Sequence, residues 1–261
     1  MDLNLRGRTA LITGASKGIG LATAETLAEE GCNVILVSRT QPDLDAARSK
    51  ILSRFNVGVT AHALDLSDSK SVDKLAELHG DSIDILVNNA GAIPAGKLHE
   101  ILEPRWREAW DLKVFGYINM CRAFYAKFAA RRQGVIINVI GTGGEKVDSA
   151  YIAGAAGNAS LMAFTRALGG TASADNLRVV GINPGPVATD RLVTMMKKIA
   201  QDRLGDENRW EELTAPMPYG RAATAEEIAN MVAFLASDRS AYTSGTVITI
   251  DGGAVNRTQV F

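Results

Sequence analysis

A regular alternation along the chain most narrows what this sequence can fold into. Short apolar runs at 9–13, 33–37, 57–63, 83–87, 135–139, 178–182 and 246–250 are separated by longer stretches with helical spacing. Several of the runs are apolar at consecutive positions rather than at every second one, as expected of strands covered on both faces of a parallel sheet. The stretches between them, 20–30, 44–55, 71–79, 104–131, 159–172 and 224–236, can supply the crossovers that parallel strands need. Leu161, Phe164 and Leu168 share one helical face, and Thr224 with Glu227 makes a capping box ahead of the last helix. The expected fold is α/β: a single doubly wound, Rossmann-like domain over 1–261, with a seven-stranded parallel sheet flanked by helices on both faces. The segment 190–218 breaks the rhythm between the sixth and seventh strands and is expected to cover a substrate pocket.

Composition excludes several classes. A net charge of −1 with no long run of one sign gives no electrostatic footprint for nucleic acid. Neither the two cysteines, Cys32 and Cys121, nor the three histidines have metal-ligand spacing, so no metal is expected. Both thiols are expected to be buried in a reducing compartment. The first eight residues have no basic start followed by an apolar stretch, and no apolar run approaches membrane-spanning length. The expectation is a cytoplasmic protein without a membrane partner.

Directly after the first apolar run comes Gly14-Ala15-Ser16-Lys17-Gly18-Ile19-Gly20, leading into a helix. Glycines there allow a sharp turn and close approach to a diphosphate, and the helix start offers unpaired N–H groups and the positive end of its dipole. Where the second run ends, a carboxylate would accept hydrogen bonds from an adenosine ribose, yet Ser38 and Arg39 stand there. With Lys17 they favour a 2′-phosphate, so NADP is expected as cofactor, with NAD as the second choice. Asn88-Asn89-Ala90-Gly91 ends the fourth run, and Asn183-Pro184-Gly185-Pro186-Val187-Ala188-Thr189 follows the sixth. Both fall at carboxyl ends of strands, where open α/β sheets bind ligands.

These motifs, with Thr13, Asp65 and Asp251-Gly252-Gly253, occur in an order that resembles the short-chain dehydrogenase/reductase family across essentially the whole chain. The resemblance implies an NAD(P)-dependent oxidoreductase that passes a hydride between nicotinamide and an alcohol or carbonyl substrate, working as a homotetramer or homodimer. It implies that Asp65 and Leu66 meet the adenine, that Asn89, Ala90 and Gly91 support the adenosine end, and that Pro184, Gly185, Val187 and Thr189 hold the nicotinamide end. Gly14, Ser16, Lys17, Gly18, Ile19, Gly20, Ser38, Arg39 and Asn158 complete the expected cofactor contacts.

The family's catalytic pattern is not matched. Its members use a Tyr with a Lys four residues on, a Ser and an Asn, but none of the five tyrosines here has a Lys at that spacing. Aligned on Thr165-Arg166, the Tyr and Lys positions hold Gly154 and Asn158. The Ser and Asn positions hold Gly141 and Lys113. Tyr151, Thr142, Lys113, Lys146 and Glu145 remain as nearby polar groups. One reading is an atypical relay in which Tyr151 projects its hydroxyl into the vacated space, Lys113 supplies the ammonium and Thr142 assists. In the other, Tyr151 and Lys113 are structural and the chain is a noncatalytic NADP(H)-binding protein acting as a redox sensor or partner subunit.

Overall fold

The computed structural model describes residues 1–257. Seven parallel strands, β1 (Thr9–Thr13), β2 (Asn33–Ser38), β3 (Val59–Ala63), β4 (Ile85–Asn88), β5 (Val135–Val139), β6 (Arg178–Pro184) and β7 (Val247–Ile250), form one sheet in the order β3-β2-β1-β4-β5-β6-β7. The doubly wound sheet is therefore as expected. The order reverses between β1 and β4, so the loops after those strands diverge and open a crevice at their carboxyl ends.

Alternate residues of each central strand feed different cores. Ala10, Ile12, Leu36 and Val87 pack with Leu27 of α1 (Gly18–Glu29), Leu44 of α2 (Gln41–Leu52) and Val232 of α8 (Ala225–Ala236). Leu11, Val37, Leu86 and Ile136 face the other way. They meet Leu75 of α3 (Ser69–His79), Phe124 of α5 (Gly116–Arg131) and Phe164 of α6 (Ile152–Thr171). Fully burying one such side chain contributes about 1.5–3 kcal/mol, which is why both strand faces are apolar and two-residue alternation is lost.

Three details differ from the sequence expectation. The stretch 104–131 is not one helix: α4 (Glu103–Trp110) and α5 are joined by a π-helical turn, Asp111–Phe115, which widens the spiral where Lys113 sits. Helix α6 begins at Ile152, seven residues before the expected start, which places Tyr151 at its N-cap. Strand β3 starts at Val59, two residues after the expected run begins, and both cysteines are free and buried. The segment 190–218 is ordered as α7 (Asp190–Leu204) followed by a 3₁₀ stretch, Glu207–Thr214. The Thr224 capping box is present in full. No helix of the described residues is long and apolar enough to cross a membrane.

Candidate active site

The glycine turn and the turn after β4 are built as one unit. Thr13 Oγ1 accepts from the backbone N–H groups of Asn89 at 2.9 Å and Ala90 at 3.0 Å. Asn89 Nδ2 in turn donates to the carbonyls of Thr13 at 3.0 Å and Gly14 at 3.3 Å. Gly14 and Gly18 both have positive φ, +65° and +58°, a region costing an L-residue about 1–2 kcal/mol. At Gly20 the constraint is space: a Cβ would fall on the Gly14 carbonyl oxygen and 2.6 Å from Asn89 Nδ2. The result is a bare main-chain cradle at the start of α1, suited to a diphosphate.

One contact joins the two segments expected to hold a 2′-phosphate. Ser38 Oγ, at the end of β2, donates to Ser16 Oγ of the glycine turn at 3.1 Å, and the next residues along each segment, Arg39 and Lys17, are exposed. Asp65 is exposed after β3, with Oδ1 accepting from Ser67 N at 3.0 Å, and its neighbour Leu66 is buried. At the other end of the crevice Val187 is buried and pairs with Ala223, while Gly185 N donates to Ile250 O at 2.9 Å. Thr189 caps α7 so close to the glycine turn that a Cβ on Gly18 would lie 3.2 Å from its Cγ2.

Beneath these turns runs a buried amide chain. Asn88 Nδ2 donates to Asn138 Oδ1 at 2.9 Å, and Asn138 Nδ2 donates to Thr165 Oγ1 of α6 at 2.9 Å. It ties β4 to β5 and to the helix that carries Gly154 and Asn158.

That helix start holds the most informative contact. A Cβ placed on Gly154 would fall inside the Tyr151 ring, among Cζ, Cε1 and Cε2. The same ring lies 3.1 Å from a Cβ position on Gly143, beside Thr142. Tyr151 therefore lies over Gly154, packed with Ile93, Ala153, Trp106 and Trp110, and Trp110 Nε1 fixes the helix start by donating to Ala153 O at 3.0 Å. Burial pushes the Tyr151 hydroxyl pKa up, while the nearby Arg191 guanidinium pulls it down.

Lys113 reaches the site from the π-helical turn. Its stem packs on Gly91, where a Cβ would lie 2.6 Å from Cδ, and its Nζ donates to Ile140 O at 2.6 Å. Burial first, and Arg191 second, lower its pKa to about 8. Gly141 follows Ile140 with φ +131°, and Asn158 Nδ2 lies 3.1 Å from its Cβ position. Asn158 is only 3% exposed, and its Oδ1 is buried with no hydrogen-bond partner.

Two of the polar groups read from the sequence stand elsewhere. Glu145 is committed to structure: its carboxylate accepts from Asn183 Nδ2 at 2.7 Å and Thr249 Oγ1 at 2.8 Å. Lys146 is exposed. Arg191, the second residue of α7, comes beside these residues in a way the sequence did not reveal, because only the folding of α7 brings its Nη2 within 2.9 Å of Ile93 O.

Similarity to known proteins agrees with this geometry. Residues 14–255 match the family described as Enoyl-(Acyl carrier protein) reductase. The chain belongs to the short-chain dehydrogenase/reductase family. Among curated relatives, it is 31% identical to the 2-keto-3-deoxy-L-fuconate dehydrogenase of Xanthomonas campestris, covering 98% of this chain and 82% of that one. It is 32% identical to the 3-oxoacyl-(acyl-carrier-protein) reductase FabG of Escherichia coli, covering 96% and 98%. Among solved structures, the L-sorbose reductase of Gluconobacter frateurii, complexed with NADPH and L-sorbose, superposes with a TM-score of 0.93. The two are 32% identical, with 99% of this chain and 100% of that one covered.

Proposed function

We propose that this chain is an NADP(H)-dependent oxidoreductase acting on an alcohol or carbonyl group, with Tyr151 as the proton donor in place of the family's usual tyrosine. The observation that carries the reading is the Tyr151 ring lying in the space that a side chain on Gly154 would fill. Gly154 is the position the family pattern gives to its tyrosine, so the phenol comes from the helix cap rather than from the first helical turn.

The cofactor assignment rests on the cradle that a Cβ on Gly14, Gly18 or Gly20 would obstruct, and on the unpartnered buried Oδ1 of Asn158. Gly14, Ser16, Gly18, Ile19 and Gly20 hold the diphosphate, and Ser38, Arg39 and Lys17 take the 2′-phosphate. Asp65 and Leu66 meet the adenine, and Asn89, Ala90 and Gly91 support the adenosine end. Pro184, Gly185, Val187 and Thr189 hold the carboxamide end, and Asn158 accepts from a ribose hydroxyl. When bound, NADPH supplies the hydride.

The chain's own residues handle the proton. Tyr151, with its pKa raised by burial, keeps its hydroxyl hydrogen at neutral pH and gives it to the oxygen of the carbonyl being reduced. Thr142, beside the ring, orients that oxygen. Lys113 is a cation below about pH 8, stabilising negative charge that develops there. Exposed Leu98 and Leu102 ahead of α4, and Phe115 after it, suit pairing of two copies, a homodimer or homotetramer.

The test is to titrate NADPH and NADH by fluorescence and then follow NADPH oxidation against a panel of ketones, oxo acids and keto sugars. Tight NADPH binding with turnover supports the reading. Binding without oxidation of any carbonyl makes the chain a noncatalytic dinucleotide sensor or partner subunit, and absence of binding removes both.

A further inference from the structure

Two cations converge on one turn of the site without an acidic counterpart. Lys113 lies along Gly91, and Arg191 reaches from α7 to Ile93 O at 2.9 Å, two residues further along the same turn. Each is anchored by a main-chain carbonyl rather than a carboxylate, Lys113 by Ile140 O at 2.6 Å. None of the salt bridges among the described residues includes either one. Of the five N–H groups on a guanidinium, the Ile93 carbonyl takes one. Both contacts fall within three residues of the turn after β4, and Arg191 is, after burial, the second cause of the depressed Lys113 pKa. An anion placed between them would be gripped by charge-assisted hydrogen bonds, with the fork of Arg191 suited to a planar carboxylate.

We propose that Lys113 and Arg191 form a receptor for a carboxylate carried by the substrate close to its reacting carbonyl or carbinol carbon, so that the substrates are oxo acids or hydroxy acids. This rests on the oxidoreductase reading above and names its substrate class. The location favours substrate over cofactor phosphate. Arg191 is bonded to Ile93, which belongs to the Tyr151, Trp106 and Trp110 cluster, whereas the diphosphate cradle lies at the glycine turn, with Thr189 packed against Gly18.

The experiment uses the full chain saturated with NADP⁺ and reads tryptophan emission, because Trp106 and Trp110 border the Tyr151 site. The probes are 3-oxobutanoate and its methyl ester, which differ in charge at one end. The acid is expected to bind about tenfold or more tightly than the ester, the discrimination of one charge-assisted pair. Arg191→Met should abolish that preference while leaving NADP⁺ affinity within about twofold, and Arg191→Lys should restore part of it. Equal binding of acid and ester by the native chain would overturn the proposal, as would an Arg191→Met loss confined to NADP⁺. NADPH oxidation is measured separately, on the same chain supplied with NADPH in place of NADP⁺, against the acid and the wider carbonyl panel. Preference for the acid without oxidation would leave the carboxylate receptor standing and remove the oxidoreductase reading.

Discussion

The two ends of the crevice are built on opposite plans. At the glycine turn the backbone does the work. Thr13, Asn89 and Gly14 are locked by mutual hydrogen bonds, and the site is defined by what is missing from its glycines. At the end proposed to receive the nicotinamide, side chains do it. A ring lies over Gly154, an ammonium is held by Ile140 O, and the buried Asn158 Oδ1 lacks a partner. A backbone-built site tolerates few changes and shows itself in motifs. One built from side chains can move a function to a neighbouring residue, and the motif then disappears while the chemistry remains available.

This contrast is open to attack from both ends. The largest expected effect is at the side-chain end: Tyr151→Phe should lower kcat about 10²–10⁴-fold, the usual contribution of a positioned acid, with NADPH affinity unchanged in a fluorescence titration. Unaltered kcat would mean that Tyr151 only packs. Next, Gly14→Ala should weaken NADPH binding about 10–100-fold. Its Cβ would meet Asn89 Nδ2 at 2.9 Å and Ala90 Cα at 3.0 Å, at a φ of +65°. Native-like affinity would show that the cradle is more pliable than its hydrogen bonds indicate.

A smaller effect concerns pH. With its pKa lowered from 10.5 to about 8, Lys113 is still charged at pH 7 and about nine-tenths neutral at pH 9. Reductive kcat/KM should therefore fall about tenfold between those values, and Lys113→Met should remove this limb of the profile. The sign for stability is opposite. The unfolded chain holds that proton up to about pH 10.5 and the folded one only to about 8, so stability rises with pH inside that window. Urea unfolding at pH 7.5 and 10 would show the rise, and Lys113→Met should flatten it. Smallest is Arg39→Ala, expected to weaken NADPH by up to about tenfold while leaving NADH unchanged. Equal losses for both cofactors would place Arg39 outside the 2′-phosphate site.

How much of this was legible in the sequence follows the same divide. The sheet could be read because strands covered on both faces leave runs such as Val34 to Val37. Strand ends were harder: β4 continues through Asn88 and β6 through Asn183, polar residues that hydrophobic patterning passes over although they lead into the site, and β6 ends at Pro184. The π-helical turn at Asp111–Phe115 has no signal in side-chain periodicity, so α4 and α5 read as one helix. His62 and His79, 17 residues apart, meet with Nε2 atoms 2.7 Å from each other, a pairing that only the docking of α3 beside β3 produces. The glycine turn was fully legible. For Tyr151 the sequence showed a phenol three residues from the altered position. Its seat over Gly154 depends on a cap conformation, φ −134° and ψ 35°, that no spacing rule encodes.

That cap conformation has a mechanical consequence. A proton donor on a helical turn inherits the stiffness of the helix. Tyr151 sits one residue outside α6, and its backbone forms an isolated bridge with Gly96, whose N–H donates to Ala150 O at 2.7 Å. The phenol is thus hung between a fixed rod and the loop that follows β4. Under the role proposed for Tyr151, any shift of that loop as it receives a guest would carry the hydroxyl with it, so that docking and readiness to react become a single event.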